Sequence, residues 1–587
     1  MKKLISILLV ALLVLTGCTT KGTATPAETP NAEFAAYLDE LLVESMDPKD
    51  FSINFMFVNP ENYGITPEPY ELTFSTNEDE AESVAETEAM IKKLESFSDK
   101  TLTAQQQLDK KVVIEQLKNG LEMAPYYDYE QGGSVIGYSR NLMGSFPAYL
   151  ETYVFRNQQD VDGYFNLIET LPASIQKYID LEKTRQTNGT GFGKEEIAEI
   201  IKVNEVTATD AASEDFYLIA HFDTAIADLD FMSAEQKTAA SARNKSLLNN
   251  QFAQSYQMVV DQFKEIDAKP VTGLANKPNG KEYYEILLRQ ETGKNVTVAE
   301  MEKFIDRKEL EIQTYLFSSF TAEEMDEMFA LMQSGEFSDF EDGQALLTFI
   351  QGAYTEDFPA IEAPNYVLRQ VDDSMKEASS PAFYFSPPVD YTPAEPQVIY
   401  INGEFDNKLY TTYAHEGIPG HMYQFSYFLT LKDMHPIRSL ISPSSSAEGW
   451  ANYAEKEAVK YVQSDKFMEF NNAYMSLIEI YHIKADIGIH HKGWTQEEFG
   501  EFFGQLFDVS GENLSEMYTQ FVHSPAAYPT YYLSNLYIRD MKETAKKELG
   551  NAYDEKEFHE QILKCGAASF NVIEEQMNLY IKEKGSR

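Results

Sequence analysis

From about residue 33 onward the apolar positions recur at spacings of three and four, as at Met301, Phe304 and Ile305. That period predicts helices with one buried face. Five starts carry the S/T-x-x-E/Q pattern of an N-terminal capping box: Thr103–Gln106, Ser233–Gln236, Thr297–Glu300, Thr321–Glu324 and Thr495–Glu498. Each precedes such a run, so the expected fold class is mainly α. Two short segments depart from the pattern, Ala382–Ser386 and Gln397–Ile401, which bracket the turn-rich PPVDYTPAEP and predict a small β element. Gly, Asn and Pro cluster at Thr187–Gly193 and Lys269–Gly280, the best places for a boundary between sub-lobes. No repeat of 20–50 residues marks a solenoid.

Length and composition narrow this picture. A chain of 587 residues is two or three times an ordinary domain, which predicts a large two-lobed body. Apolar residues make up 43%, too many for an intrinsically disordered chain. Asp and Glu number 94 against 48 Lys and Arg, a formal charge of −46. Such a surface repels phosphate backbones and anionic membranes, so no nucleic-acid partner is expected.

The N-terminus adds a destination. Lys2 and Lys3 precede an uncharged apolar run, Leu4–Thr16, which at 13 residues is shorter than the ~20 that span a bilayer. It reads as an export signal. The following Leu15-Thr16-Gly17-Cys18 resembles a bacterial lipobox, which implies cleavage before Cys18, lipid on Cys18 and a membrane-anchored, extracytoplasmic protein. Residues 18–32, rich in Thr, Pro and Ala, would be a tether. The other cysteine, Cys565, lies among apolar neighbours and reads as a small core residue.

The densest chemistry is AHEGIPGHMYQ, residues 414–424. His415-Glu416 followed by His421 resembles the zinc-peptidase pattern H-E-x-x-H with two residues added. Histidines four apart share a helix face and can share a metal. At a spacing of six, an ideal helix turns about 240° out of register. One ion can be shared only if the helix stops after Glu416 and resumes near His421; Gly417, Pro419 and Gly420 are residues that permit this. Taken singly, His415 could merely end a helix and Glu416 could be a solvated charge.

HEGIPGHMYQ closely resembles the H-E-G-x-P-G-H signature of the bacterial family labelled domain of unknown function 885, regarded as a distant relative of gluzincin metallopeptidases. SSAEGWANYAEKEA (445–458), ADIGIHHKGWTQEE (485–498), PAFYFSPPVDY and VIYIN resemble further blocks of that family. The resemblance covers at least residues 381–540. It implies a gluzincin-like pair of site helices in a deep helical cleft, within a catalytic portion at 381–587 preceded by a helical portion at 33–380.

By that resemblance His415 and His421 would ligate one Zn²⁺, Glu448 would be the third ligand and Glu416 the general base. Glu455, seven residues past Glu448 on the same helix face, is the rival third ligand. Asn452, Asp486 and His490 are candidates for supporting the ligand imidazoles. In HSPAAYPTYYLSNLYIRDM (523–541), Tyr531 falls where the family has Tyr and would steady an oxyanion, with His523 as a second donor. Ala526-Ala527 stand where the family usually has Gly-Gln, and His482 where it often has Arg. His221, His435, His491 and His559 read as structural. The expected function is hydrolysis of short peptides, with an extended peptide pairing along the free edge of the strand at Val398–Asn402. The alternatives are an inactive peptide- or solute-binding lipoprotein, and a zinc hydrolase of non-peptide amides or esters.

Overall fold

A computed structural model describes residues 29–586, apart from 138–140, 336–337, 372–375, 377–379, 394, 442 and 507–510. The export signal and Cys18 lie outside the described residues. The fold is mainly α. All five capping boxes form, each Ser or Thr side chain accepting from the backbone of the Glu or Gln three residues on, whose own side chain bonds back. Two orphan donors at each helix start are satisfied this way, so these boundaries follow directly from local chemistry.

The apolar side chains collect into two large cores. One is drawn almost wholly from residues 34–263, around the long Gln158–Asn188 helix, with residues such as Phe165, Ile168 and Ile175. The other runs mainly from Leu274 to Met577. The change of core falls in the Lys269–Gly280 segment. Residues 381–587 therefore share one core with the helices between 280 and 380. Two buried polar contacts tie the lobes together: the Arg438–Asp109 ion pair at 3.0 Å and the His523–Glu196 contact at 2.6 Å.

Three strands form one small sheet: β1 Tyr366–Gln370, β2 Ala382–Tyr384 and β3 Gln397–Ile401. The order is β1-β3-β2, with β1 parallel and β2 antiparallel to β3. This corrects the expectation of a free edge on β3. That strand is central, buried at Ile399 and Ile401, and bonded on both sides. Among the described residues the open edges belong to β1 and β2, and β2 lies beside the helix that carries His415. Gln397 of β3 donates to Ser426 Oγ at 3.1 Å, fastening the sheet to the helix that carries His421. Cys565 is buried, its thiol pushed up to about 12 by loss of water.

Candidate metal centre

The first site helix is Tyr410–Glu416 and the second is His421–Phe428. The break falls where the spacing of the histidines requires it. The Gly420 N–H donates to Ala414 O at 3.0 Å and the Tyr423 N–H to Gly417 O at 3.1 Å, so the chain crosses the gap without stranding its polar groups. A Cβ on Gly420 would lie 1.8 Å from His415 O, so no other residue fits without moving the helix end. Trp450 Nε1 donates to Pro419 O at 2.9 Å and clamps the connection from the third helix, Ser444–Ala458. Gly449 lets the Ala527–Leu549 helix approach that third helix, since a Cβ there would sit 2.4 Å from Ser534 Cβ. The A-E-G-W block thus joins one carboxylate to two packing devices.

The outcome is convergence. His415 Nε2 and His421 Nε2 lie 3.5 and 3.4 Å from one oxygen of Glu448, and donor atoms of all three residues fall within 4.8 Å of each other. The two rings stand at 90°. Glu448 Oε2 is buried with no hydrogen-bond partner among the described residues. A buried carboxylate oxygen left this way costs free energy unless something positive sits at the focus. Tetrahedral zinc with ligands at ~2.0–2.1 Å separates them by about 3.4 Å, the spacing seen here. Two imidazoles and one carboxylate match the three-residue donor set of a catalytic zinc site. The residues fit the ion.

Electrostatics reinforces the arrangement. Burial opposes ionisation of Glu448, but the two imidazoles outweigh it and hold its carboxyl well below the ordinary range. Glu416 is buried at 8% exposure and stands outside the converging set. Burial pushes its carboxyl upward, with His421 and His415 pulling the other way.

Glu455 occupies a different place from Glu448. Its Oε2 accepts from His415 Nδ1 at 3.0 Å, on the side of the ring away from Nε2, and its Oε1 accepts from Asn452 Nδ2 at 2.9 Å. Lys456 then donates to Asn452 Oδ1 at 3.1 Å and to Glu479, both Lys456 and Glu479 being buried. Asn452 therefore bonds the carboxylate behind His415 and, among the described residues, hydrogen-bonds no ligand imidazole. This chain of contacts fixes which His415 nitrogen faces Glu448.

Asp486 and His490 are engaged elsewhere. Asp486 is fully buried and accepts from Tyr284 Oη and from the Ala526 N–H at 3.2 Å; burial pushes its carboxyl up to about 7. It holds the start of the Ala527–Leu549 helix. Ala526 there has φ 62°, in the left-handed region that Gly adopts at least cost. His490 accepts from the Leu274 N–H at Nδ1 and donates from Nε2 to Phe521 O at 2.9 Å, a neutral ring whose pKa burial lowers to about 4. His523 Nδ1 lies 2.6 Å from Glu196 Oε1, with both side chains buried, a contact between the lobes. Tyr531 does reach the site: its ring lies 6.3 Å from that of His415, with the planes 21° apart. His482 bonds Ile478 O at 2.9 Å within an aromatic cluster, and His559 bonds Tyr453 and Asp357 O.

Fold and site together define a mainly α-helical protein with a half-buried His-His-Glu cluster at a broken helix. The chain belongs to the family described as bacterial protein of unknown function (DUF885), whose pattern matches residues 62–577. A comparison with curated proteins finds no match. Among solved structures, the chain is similar to a candidate lipoprotein from Colwellia psychrerythraea, at 16% identity and TM-score 0.75, covering 94% of this chain and 99% of that one. A candidate lipoprotein of unknown function from Shewanella oneidensis is similar at 19% identity and TM-score 0.58, covering 93% and 99%. These likenesses concern the fold.

Proposed function

We propose that this protein is a zinc-dependent peptidase acting on short peptides, held at the outer side of the cell membrane by lipid on Cys18. The observation that carries the reading is the meeting of His415 Nε2, His421 Nε2 and a buried, unbonded Glu448 oxygen within 4.8 Å, beside a buried Glu416. His415, His421 and Glu448 would hold the ion. When bound, zinc supplies Lewis acidity, lowering the pKa of water and polarising a carbonyl. Glu416 accepts the proton of the attacking water on its carboxylate and returns it to the leaving amine. Tyr531 Oη offers a hydrogen bond to the oxygen on which negative charge develops. Glu455 holds His415 by Nδ1, so the ring does not turn away during the reaction. The open edge of β2, next to the His415 helix, offers backbone groups to an extended substrate in place of β3.

No helix among the described residues is long and apolar enough to cross a membrane. The test of the zinc site is metal content. The purified protein is expected to hold one zinc, and His415→Ala, His421→Ala and Glu448→Ala are each expected to lose most of it while staying folded by circular dichroism. Full zinc retention in all three variants would overturn the assignment.

A further inference from the structure

A groove takes Phe425 and Phe428 of its lining from the His421–Phe428 helix, whose first residue is the ligand His421. It holds about 850 Å³ of non-protein space, its open mouth included. Its apolar wall includes Phe425, Phe428, Leu431, Met434 and, from the segment that follows β2, Val389. His421, Phe425 and Phe428 fall at i, i+4 and i+7, so they form one stripe on one helix face. At 1.5 Å per residue Phe425 and Phe428 stand about 6 and 11 Å along the helix from His421. The open strand β2 ends at Tyr384, two residues before the groove-lining Ser386. An extended chain leaving the cluster along that strand would be led into the groove.

The charges in the groove are of one sign. Lys432 stands exposed at the lining and forms no ion pair among the described residues. Arg438 is fully buried; it donates to Asp109 Oδ1 at 3.0 Å and to the carbonyls of Cys565 and Ala567, and its Nε has no partner among the described residues. Asp109 balances one of the two cations and Lys432 remains. In a chain of formal charge −46, an apolar groove with a spare cation, Lys432, is complementary to an apolar ligand with an anionic end.

Resting on the peptidase reading above, we infer that this groove receives the carboxyl-terminal side of the substrate: large apolar side chains followed by a free C-terminal carboxylate. The polarity follows from charge, since the carboxyl end alone brings a backbone anion. At ~3.3 Å per extended residue, the 6–11 Å from His421 accommodates about two to four residues. The substrates are therefore short apolar peptides, cut about two to four residues from a free C-terminus.

The test uses the full zinc-loaded protein and paired peptides of one apolar, Phe-containing sequence, ending in a free acid or in an amide. The free acid is expected to show the lower KM, by roughly fivefold, the scale of a partly exposed ion pair. The cut should release a fragment of two to four residues. In Lys432→Glu the ratio of the two KM values should fall to one or invert; the position is exposed, so the fold survives the change. Equal KM for acid and amide in the parent, or an unchanged ratio in the variant, overturns the inference while leaving the peptidase intact. If neither peptide is cut, the peptidase reading fails, and direct calorimetric binding of the same pair still decides whether the groove selects a carboxylate.

Discussion

Replacing Glu455 by Gln removes one negative charge without changing the size of the side chain, and the consequence can be worked from the contacts. The carboxylate accepts two hydrogen bonds at once, from His415 Nδ1 at 3.0 Å and from Asn452 Nδ2 at 2.9 Å. An amide offers one oxygen and one NH₂ group, and both partners here are donors, so the substituted side chain could satisfy only one of them. If its oxygen turned toward Asn452, His415 would lose the bond that fixes its tautomer; if it turned toward His415, two NH₂ groups would meet. A buried hydrogen bond to a charged group is worth about 1.5–3 kcal/mol. The zinc affinity should accordingly fall by roughly 10- to 100-fold, the range found for groups that orient a ligand imidazole. The assay is competition with a chelator of known affinity, with circular dichroism to confirm folding. Glu448→Gln should lose far more, because it removes a donor from the ion itself. If Glu455→Gln binds zinc as tightly as the parent, the supporting role is refuted. If it loses zinc entirely while Glu448→Gln keeps it, the two carboxylates have been assigned the wrong way round.

Gly420→Ala places a Cβ 1.8 Å from His415 O, so urea denaturation should show a loss of at least about 1–3 kcal/mol, with reduced zinc content; an unchanged midpoint would contradict the close approach. Asp486 has a folded pKa raised to about 7, so the folded state disfavours its ionised form and stability is lost as pH rises from the ordinary carboxylate range through about 7. The stability of Asp486→Asn minus that of the parent should therefore grow toward alkaline pH by a few kcal/mol between pH 4 and 8, and a flat difference would refute it. Cys18→Ala should leave the membrane fraction or remain unprocessed, whereas unchanged, detergent-dependent fractionation would count against lipidation.

Much of the architecture was readable where chemistry is local. The capping boxes, the strand at Gln397–Ile401 and the helix break between Glu416 and His421 all depend on residues a few positions apart. The strand Tyr366–Gln370 escaped because its five residues lack a clear alternation and are defined by parallel pairing to β3, about thirty residues on. The position of β3 in the middle of the sheet was hidden for the same reason. In the site, the pairing of His415 with Glu455 and that of His523 with Glu196 depend on how helices from distant segments pack, which periodicity does not report. Asp486 and His490 lie in a family-like block, but their partners are Tyr284, Ala526, Leu274 and Phe521. The left-handed Ala526, whose N–H Asp486 accepts, is likewise set by tertiary contact and has no local signal.

The central claim is hydrolysis with Glu416 as the base, and one variant separates it from metal binding. Glu416→Gln keeps the size of the side chain and leaves His415, His421 and Glu448 in place. It should retain one zinc per chain and the parental circular dichroism spectrum while its rate on a peptide that the parent cleaves falls by at least about 100-fold. A folded, zinc-loaded Glu416→Gln protein that cleaves the same peptide at close to the parental rate would contradict the account.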